Sequence, residues 1–252
     1  MSEEREKRRA AQAAALLVED GMRVGLGTGT TVSYLLPALA ARKLSIRCVA
    51  TSERTASKAA GLGLAVEPFS ALNELDIAID GADQIAPDGW LVKGGGGAHT
   101  REKIVAAAAD RFVVIADSTK PVQNLHPPIP LELLAFGLQA TLRHLGDVTV
   151  REAPPSPDGG IIADYQAPFD DPAELAALLS ATPGVTSHGL FSPSLVSVIL
   201  IARGDEVEQR TLSSGRRLPR YGFLRMPPEL RPHRRQQPPS KLPEPPRLEA
   251  LE

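Results

Sequence analysis

The stretch RVGLGTGTTVSYLLPALAARK, residues 23–43, decides the fold of this 252-residue chain. It begins as a short apolar strand, Arg23–Leu26, enters a glycine-rich turn and continues as a helix predicted over Thr31–Lys43. A strand that runs through a tight turn into a helix is typical of a β-α-β unit. The stretch therefore predicts a mostly parallel sheet covered by helices.

The same alternation continues on both sides of this stretch. Helices are predicted over residues 5–20, Glu53–Gly61 and Arg101–Asp110. Further strands are predicted at Ile46–Ala50, Leu75–Asp80, Trp90–Lys93 and Arg111–Asp117. Strands that alternate with helices indicate the α/β class.

The order of elements changes after PVQNLHPPIP, residues 121–130. A helix at about 135–145 precedes two strands, VTVRE and GIIADYQ, and a helix at 171–181 precedes VTSHGLF and VSVILIAR. This order predicts a small α+β domain with a mainly antiparallel sheet. We therefore expect one domain over 1–125 plus about 203–215, and a second over 126–202.

The C-terminal segment, residues 216–252, differs in composition from the rest. Residues 219–252 hold 9 of the 23 prolines, and residues 216–252 hold 9 Lys and Arg against 4 Asp and Glu. Proline blocks helix interiors, and few apolar groups are available to offset chain entropy. The segment is predicted to be a disordered or extended tail.

Composition excludes several classes of protein. Hydrophobic residues make up 42% of the chain, which is ordinary for a globular protein. The net charge is −2, so nothing indicates a nucleic-acid partner. A single cysteine excludes a disulfide framework and a multi-cysteine metal site. No apolar run approaches the ~18–20 residues that span a bilayer, and the N-terminus lacks a signal-peptide pattern. We therefore expect a cytoplasmic protein.

Two glycine-containing loops follow predicted strands, where ligands bind in open α/β sheets. GLGTGTT, Gly25–Thr31, combines free backbone N–H groups, threonine hydroxyls and a helix N-terminus, which favour phosphate. Its spacing matches neither a Walker A loop nor G-x-G-x-x-G, and a simple capped turn is the alternative. DGAD, Asp80–Asp83, offers two carboxylates for proton transfer, metal binding or sugar hydroxyls, or forms an ordinary Asx turn.

Two further loops carry lysines. In KGGGGAHTREK, Lys93–Lys103, the glycine amides and Lys93 suit an oxyanion, and Thr100 is expected to cap a helix with Glu102 in its first turn. Glu102 is then a candidate general base, or merely a complement to the helix dipole. ADSTK places Lys120 after a strand, either beside phosphate or in solvent. Packing or surface roles are expected for four other residues: His99, Cys48, Trp90 and His126.

GLGTGTT, DGAD, KGGGGAHTREKI and IADSTK, in this order and spacing, resemble the type A family of ribose-5-phosphate isomerases. TSERTASKAAGLG and TPGVTSHGLF extend the resemblance over roughly residues 5–205. It implies a Rossmann-like α/β domain with a smaller α+β (ferredoxin-like) domain. It also implies an aldose–ketose isomerase of the pentose phosphate pathway, active as a homodimer or tetramer on a sugar phosphate, without metal or nucleotide cofactor.

The resemblance also assigns roles to matching positions. Glu102 matches the base, and Lys93 with the Gly94–Gly96 amides matches the group that holds the oxyanion. Asp80 and Asp83, with Gly81 and Ala82 between them, match the loop that binds sugar hydroxyls and assists ring opening. The substrate and phosphate loop is matched by Thr28, Gly29, Thr30 and Thr31, with Lys120 and Lys7 near the phosphate.

Three positions depart from the family pattern: Thr30 in place of serine, Gln84 in place of glutamate, and His99 in place of an apolar residue. Other functions compatible with the motifs are an amino-sugar phosphate deaminase or isomerase, a sugar-phosphate sensor, an inactive scaffold and an NAD enzyme. The sensor is disfavoured because 22 residues before the first strand are too few for a helix-turn-helix domain. The loop spacing disfavours NAD.

Overall fold

A seven-stranded sheet forms the centre of the structure, a computed structural model that describes residues 2–72 and 74–212. Its strands in spatial order are β14 (Glu206–Thr211), β13 (Val198–Arg203), β7 (Ala109–Asp117), β4 (Leu75–Gly81), β1 (Arg23–Leu26), β2 (Arg47–Ala50) and β3 (Ala65–Val66). All neighbours pair in parallel except β13 and β14. The predicted α/β class with a mostly parallel sheet is confirmed. The tail predicted at 216–252 lies outside the described residues.

Helices cover both faces of this sheet. They are α1 (Glu3–Ala15), α2 (Thr30–Ala41), α3 (Glu53–Gly61) and α4 (His99–Ala107). Successive residues of β7 alternate between two cores, because side chains in a strand point to opposite faces. Val113 packs in the core shared with α1 and α2, whereas Val114 packs in the core shared with α4.

A second, four-stranded antiparallel sheet has the order β11–β8–β10–β9. Its elements follow along the chain as β8 (Ile129–Leu133), α5 (Leu138–Leu145), β9 (Val148–Val150), β10 (Ile161–Tyr165), α6 (Pro172–Ala181) and β11 (Val185–His188). This β-α-β-β-α-β order is the ferredoxin-like arrangement that was predicted. The strand β8 was not predicted; it begins at the last two residues of PVQNLHPPIP and continues to Leu133.

The placement of VTSHGLF and VSVILIAR in the small sheet is wrong. Only Val185–His188 pairs there; the next residues form β12 (Leu190–Phe191), which joins β5 (Gln84–Ile85) and β6 (Leu91–Val92) in a three-stranded sheet. Strand β13 pairs in parallel with β7 in the central sheet. Its nearly continuous apolar run suits a strand buried on both faces, and the boundary predicted at residue 202 therefore falls inside a central strand.

Parallel strands end at one edge of the central sheet, so the loops after β1, β4 and β7 meet there. The loop between β6 and α4 reaches the same edge through the three-stranded sheet. In the part of the chain that the structure describes, no helix has both the length and the apolar character needed to cross a bilayer.

Candidate active site

The four predicted loops meet around one cavity of about 100 Å³. Its lining holds nearly all the residues that the sequence singled out: Thr28, Gly29, Thr30, Thr31, Gly81, Ala82, Asp83, Lys93, Gly94, Gly95, Gly96, Glu102 and Lys120. Val32 also lines it. Asp80 lies behind Lys93 rather than in the lining, and Lys7 is outside it.

Lys93 lies between two buried carboxylates. Its Nζ atom is 2.8 Å from Asp80 Oδ2 and 3.1 Å from Glu102 Oε2, and it donates to the carbonyl of Gly81 at 2.6 Å. The side chains of all three charged residues are at most 4% exposed. One ammonium thus pairs with two carboxylates, and all three groups are shielded from solvent.

Burial sets the protonation of these groups. It raises the pKa of Glu102 to about 8, with a further rise from the Asp80 carboxylate that Lys93 opposes. Burial also raises the pKa of Asp80, against Lys93 and two backbone N–H groups. For Lys93, burial lowers the pKa, but the two carboxylates outweigh it and the net pKa is raised. Lys93 therefore stays an ammonium, while Glu102 can take up a proton near neutral pH.

Asp80 is held in place by the loop after β1. Its Oδ1 atom accepts the N–H groups of Gly81 at 2.7 Å and of Thr28 at 3.1 Å. Gly27 makes this approach possible, because a Cβ atom there would lie 1.9 Å from the carboxyl carbon of Asp80. Counting Lys93, the Asp80 carboxylate thus accepts three hydrogen bonds, which partly offset the cost of its burial.

The hydroxyl of Thr28 is held by three other hydroxyl groups. It contacts Thr51 Oγ1 and Ser52 Oγ, both at 2.8 Å, and Thr55 Oγ1 at 3.4 Å. Thr55 in turn donates to the carbonyl of Gly27 at 3.1 Å. This hydroxyl cluster, which the sequence interpretation missed, fixes the loop after β1 against the start of α3.

Glu102 enters the site from the first turn of α4, as predicted. The predicted cap at Thr100 is wrong: the helix begins at His99 after Ala98, which gives no side-chain cap. Thr100 instead donates its hydroxyl to the buried Glu132 on β8. The helix end is thus anchored by the small sheet, a long-range contact that local spacing could not indicate.

The other end of the cavity suits an anion. Thr30, Thr31 and Val32 form the first turn of α2, where backbone N–H groups have no partner within the helix. Lys120 lines the same cavity, and among the described residues it forms no ion pair. Lys7 instead pairs with Glu3 and lies 3.9 Å from Asp117 Oδ2.

The glycine loop between β6 and α4 is held from both sides. The N–H of Gly95 donates to Asp83 Oδ2 at 2.8 Å. On the opposite side, Arg151 Nη1 donates to the carbonyls of Gly94 and Gly95, each at 3.1 Å. Arg151 was not predicted, because it lies far along the chain after β9 and no motif marks it.

The remaining singled-out residues have packing or surface roles, as expected. Burial lowers the pKa of His99 to about 3, and its ring packs against Gly94 outside the cavity lining. Cys48 is buried, Trp90 packs against the core of the small sheet, and His126 is exposed. Gln84, one of the departures from the family pattern, exchanges two hydrogen bonds of 2.9 Å with the backbone of His126.

A larger cavity of about 730 Å³ lies on the other side of α4. It is mostly apolar, with Phe69, Ile104 and Leu134 in its wall, and the carboxylate of Glu132 at its base is already bonded to Thr100 and Ser156. It contains none of the charged groups that line the smaller cavity. The volume of a cavity therefore does not by itself identify the candidate active site.

Comparisons with known proteins agree with this geometry. The family model for ribose 5-phosphate isomerase A (phosphoriboisomerase A) matches residues 47–206. The ribose-5-phosphate isomerase A of Nitrobacter hamburgensis is 42% identical over 225 residues, 81% of this chain and 97% of that protein. The crystal structure of ribose 5 phosphate isomerase A from Neisseria gonorrhoeae aligns with a TM-score of 0.80 and 29% identity, over 84% of this chain and 98% of that one.

A further solved structure is D-ribose-5-phosphate isomerase in complex with phospho-erythronic acid. It aligns with a TM-score of 0.79 and 28% identity, over 84% of this chain and all of that one. Fold, site and relatives together define an α/β isomerase of sugar phosphates. The chain belongs to the ribose 5-phosphate isomerase A family.

Proposed function

We propose that Glu102 is the base that interconverts ribose 5-phosphate and ribulose 5-phosphate, the aldose–ketose reaction of this family in the pentose phosphate pathway. The observation that carries the assignment is the position of Glu102. Its buried carboxylate is 3.1 Å from Lys93 and lines the same cavity as Lys120 and the first turn of α2. A base, an oxyanion partner and an anion site thus share one small space.

The reaction requires two proton movements. Glu102 removes the proton from C2 of the open-chain aldose, and the electron pair moves through C1 onto the C1 oxygen, which gives an enediolate. Glu102 then returns that proton to C1, while the proton of the C2 hydroxyl passes to the C1 oxygen. A carboxylate whose pKa lies near neutral pH is suited to both the removal and the return.

Lys93 and the glycine loop stabilise the negative oxygen in this proposal. The ammonium is oriented by Asp80 and the Gly81 carbonyl, so it needs no rearrangement when charge develops. Each well-placed oxyanion donor contributes about 3–4 kcal/mol to such a reaction. Since the Gly95 amide is bonded to Asp83, the amides of Gly94 and Gly96 are the ones left to face the oxygen.

The substrate is oriented by the remaining cavity residues. Asp83, with Gly81 and Ala82, lies where sugar hydroxyls would be bound, and Asp80 assists ring opening through Lys93. The backbone of Gly29–Thr31 and the Lys120 ammonium receive the phosphate. The Thr28 hydroxyl supports this loop from behind.

We also propose the finer properties that the sequence predicted: a homodimer in the cytoplasm that needs no metal or nucleotide. One surface supports the dimer. Phe136 is 93% exposed beside the 730 Å³ cavity, and Ile104 and Leu134 in its wall are about half exposed. A twofold dimer uses the same patch on both copies, and we propose that this apolar patch is the one.

The test is the turnover of Glu102→Gln in a coupled assay for ketopentose phosphate, with EDTA present. We expect kcat to fall at least ~100-fold, the low end for a general base, with the inhibition constant of inorganic phosphate unchanged. Glu53→Gln is the control, because Glu53 begins α3 outside the site cavity. Near-wild-type turnover of the Glu102 variant would overturn the assignment.

A further inference from the structure

Arg151 contacts the active site from the small sheet. It directly follows β9, and its backbone N–H donates to the carbonyl of Ile162 on β10 at 2.9 Å, which fixes its position. Asp164, two residues after Ile162, pairs with Thr149 across the sheet. Arg151 and Asp164 are therefore diagonal neighbours on one face of the sheet.

This neighbour holds the guanidinium rigidly. Asp164 accepts Arg151 Nε and Nη2 in a two-point contact, both at 2.7 Å, and both side chains are largely buried. The remaining nitrogen, Nη1, is then directed at the glycine loop. It donates to the carbonyl oxygens of Gly94 and Gly95, each at 3.1 Å.

Because of peptide geometry, the bonds from Arg151 to the loop carbonyls also fix the direction of the loop N–H groups. In a trans peptide the C=O and the following N–H point in opposite directions. Because Arg151 holds the carbonyls of Gly94 and Gly95, the N–H groups of Gly95 and Gly96 must point away from Arg151. The Gly95 N–H confirms this direction, since it meets Asp83 at 2.8 Å.

The Gly96 N–H points the same way, toward the cavity that Gly96 lines. Within residues 2–72 and 74–212 it donates to no other group. Glycine makes the loop possible: Gly94 has φ +107°, and a Cβ there would lie 2.8 Å from the ring of His99. A loop with so little side-chain restraint needs an external anchor to keep its amides in one orientation.

We propose that Arg151, held by Asp164, is a positioning residue: it keeps the Gly95 amide on Asp83 and the Gly96 amide directed toward the reacting oxygen. The inference rests on the proposed function, in which glycine amides stabilise the enediolate. It gives the small sheet a part in the chemistry. Arg151 itself does not touch the substrate.

The test compares Arg151→Met, Arg151→Lys and Asp164→Asn with the unchanged protein. We expect Arg151→Met to lower kcat by about 10- to 100-fold, since loss of a whole oxyanion donor costs ~10²–10³. KM for ribose 5-phosphate and the inhibition constant of inorganic phosphate should stay within about threefold, because the phosphate end is untouched. Binding of phospho-erythronic acid, whose carboxylate would face the amides, should weaken at least tenfold.

The other variants refine the test. Arg151→Lys should recover part of kcat, because an ammonium can still reach a carbonyl, and Asp164→Asn should lose less than Arg151→Met. Arg23→Met is the matched control. It also breaks an arginine–aspartate pair, with Asp76, but Arg23 begins β1, at the end of the central sheet away from the site. Its kcat should be unchanged.

Two results would overturn the proposal. One is a kcat within twofold of the unchanged protein in folded Arg151→Met. The other is an equal loss of phosphate binding, which would mean a general structural role. If Arg151→Met does not fold, the same comparison is made with Arg151→Lys and Asp164→Asn: kcat should fall while the inhibition constant of inorganic phosphate stays unchanged. Other results would overturn the proposed function itself. They are an unmodified protein that does not act on ribose 5-phosphate, or a Glu102→Gln variant that keeps its activity.

Discussion

At Glu102, a single carboxylate acquires the properties of a base from its surroundings. Burial and the charge of Asp80 make its ionised form costly, and Lys93 at 3.1 Å limits that cost. The Glu102 carboxyl group can therefore both release and take up a proton near neutral pH. In the proposed mechanism Lys93 performs two tasks, because the same ammonium also stabilises the oxygen that becomes negative.

The pH dependence of kcat/KM tests this balance. Glu102 must be ionised to act as a base, so kcat/KM should rise with pH and level off above about 8. Asp80→Asn should move this inflection to lower pH, since it removes a like charge and leaves Lys93 to Glu102 alone. A second inflection near pH ~6, from the substrate phosphate, should not move. An unmoved upper inflection would show that a group other than Glu102 controls the profile.

At the scale of elements, α1 contributes one buried anchor. Glu6 accepts the N–H of Ser118 at 2.9 Å and of Gly204 at 2.7 Å, which ties α1 to the loop after β7 and to the β13–β14 turn. Hydrogen bonds from Ser118 and Gly204 lower the pKa of Glu6 to about 2. The loop after β7 is the one that ends in Lys120.

Glu6→Gln should therefore reduce the stability of the fold in a pH-dependent way. A folded pKa below the ordinary value stabilises the protein above pH 4.5, and this contribution is lost as pH falls from there toward 2. Urea unfolding at pH 7 should show a loss of about 2 kcal/mol, which shrinks at pH 3.5. Glu4→Gln, an exposed change on the same helix, is the control. A loss that is equal at both pH values would contradict the assignment.

Sequence patterns predicted the elements well where neighbouring residues determine the structure. The strand–turn–helix stretch at residues 23–43 and the four loops at strand ends follow from periodicity and turn chemistry, and they meet at one cavity. Long-range pairing was not available to that reasoning. It placed β13 in the wrong sheet, missed β8, gave Thr100 a cap role and missed Arg151. Each of these depends on contacts between residues far apart in the chain.

At the scale of the whole molecule, the large apolar cavity and Phe136 form a surface that a second copy can cover. An aromatic ring buried at an interface is commonly worth 2 kcal/mol or more, about 30-fold in Kd. Phe136→Ser should therefore shift the protein toward monomer in sedimentation velocity at micromolar concentration. Leu16→Ser, which changes another exposed apolar residue, should leave the dimer intact. A dimeric Phe136→Ser would place the interface elsewhere, and a monomeric unmodified protein would refute the dimer.

The central claim is that Glu102 carries the proton between C2 and C1, and the fate of a C2 label measures it directly. With ribose 5-phosphate deuterated at C2, proton NMR reports whether the C2 deuterium leaves its carbon. The unchanged protein should release it at the rate of turnover, whereas Glu102→Gln should retain it at the rate seen without enzyme and still bind inorganic phosphate. Release by Glu102→Gln at the unchanged rate would contradict the claim and assign the proton to another group.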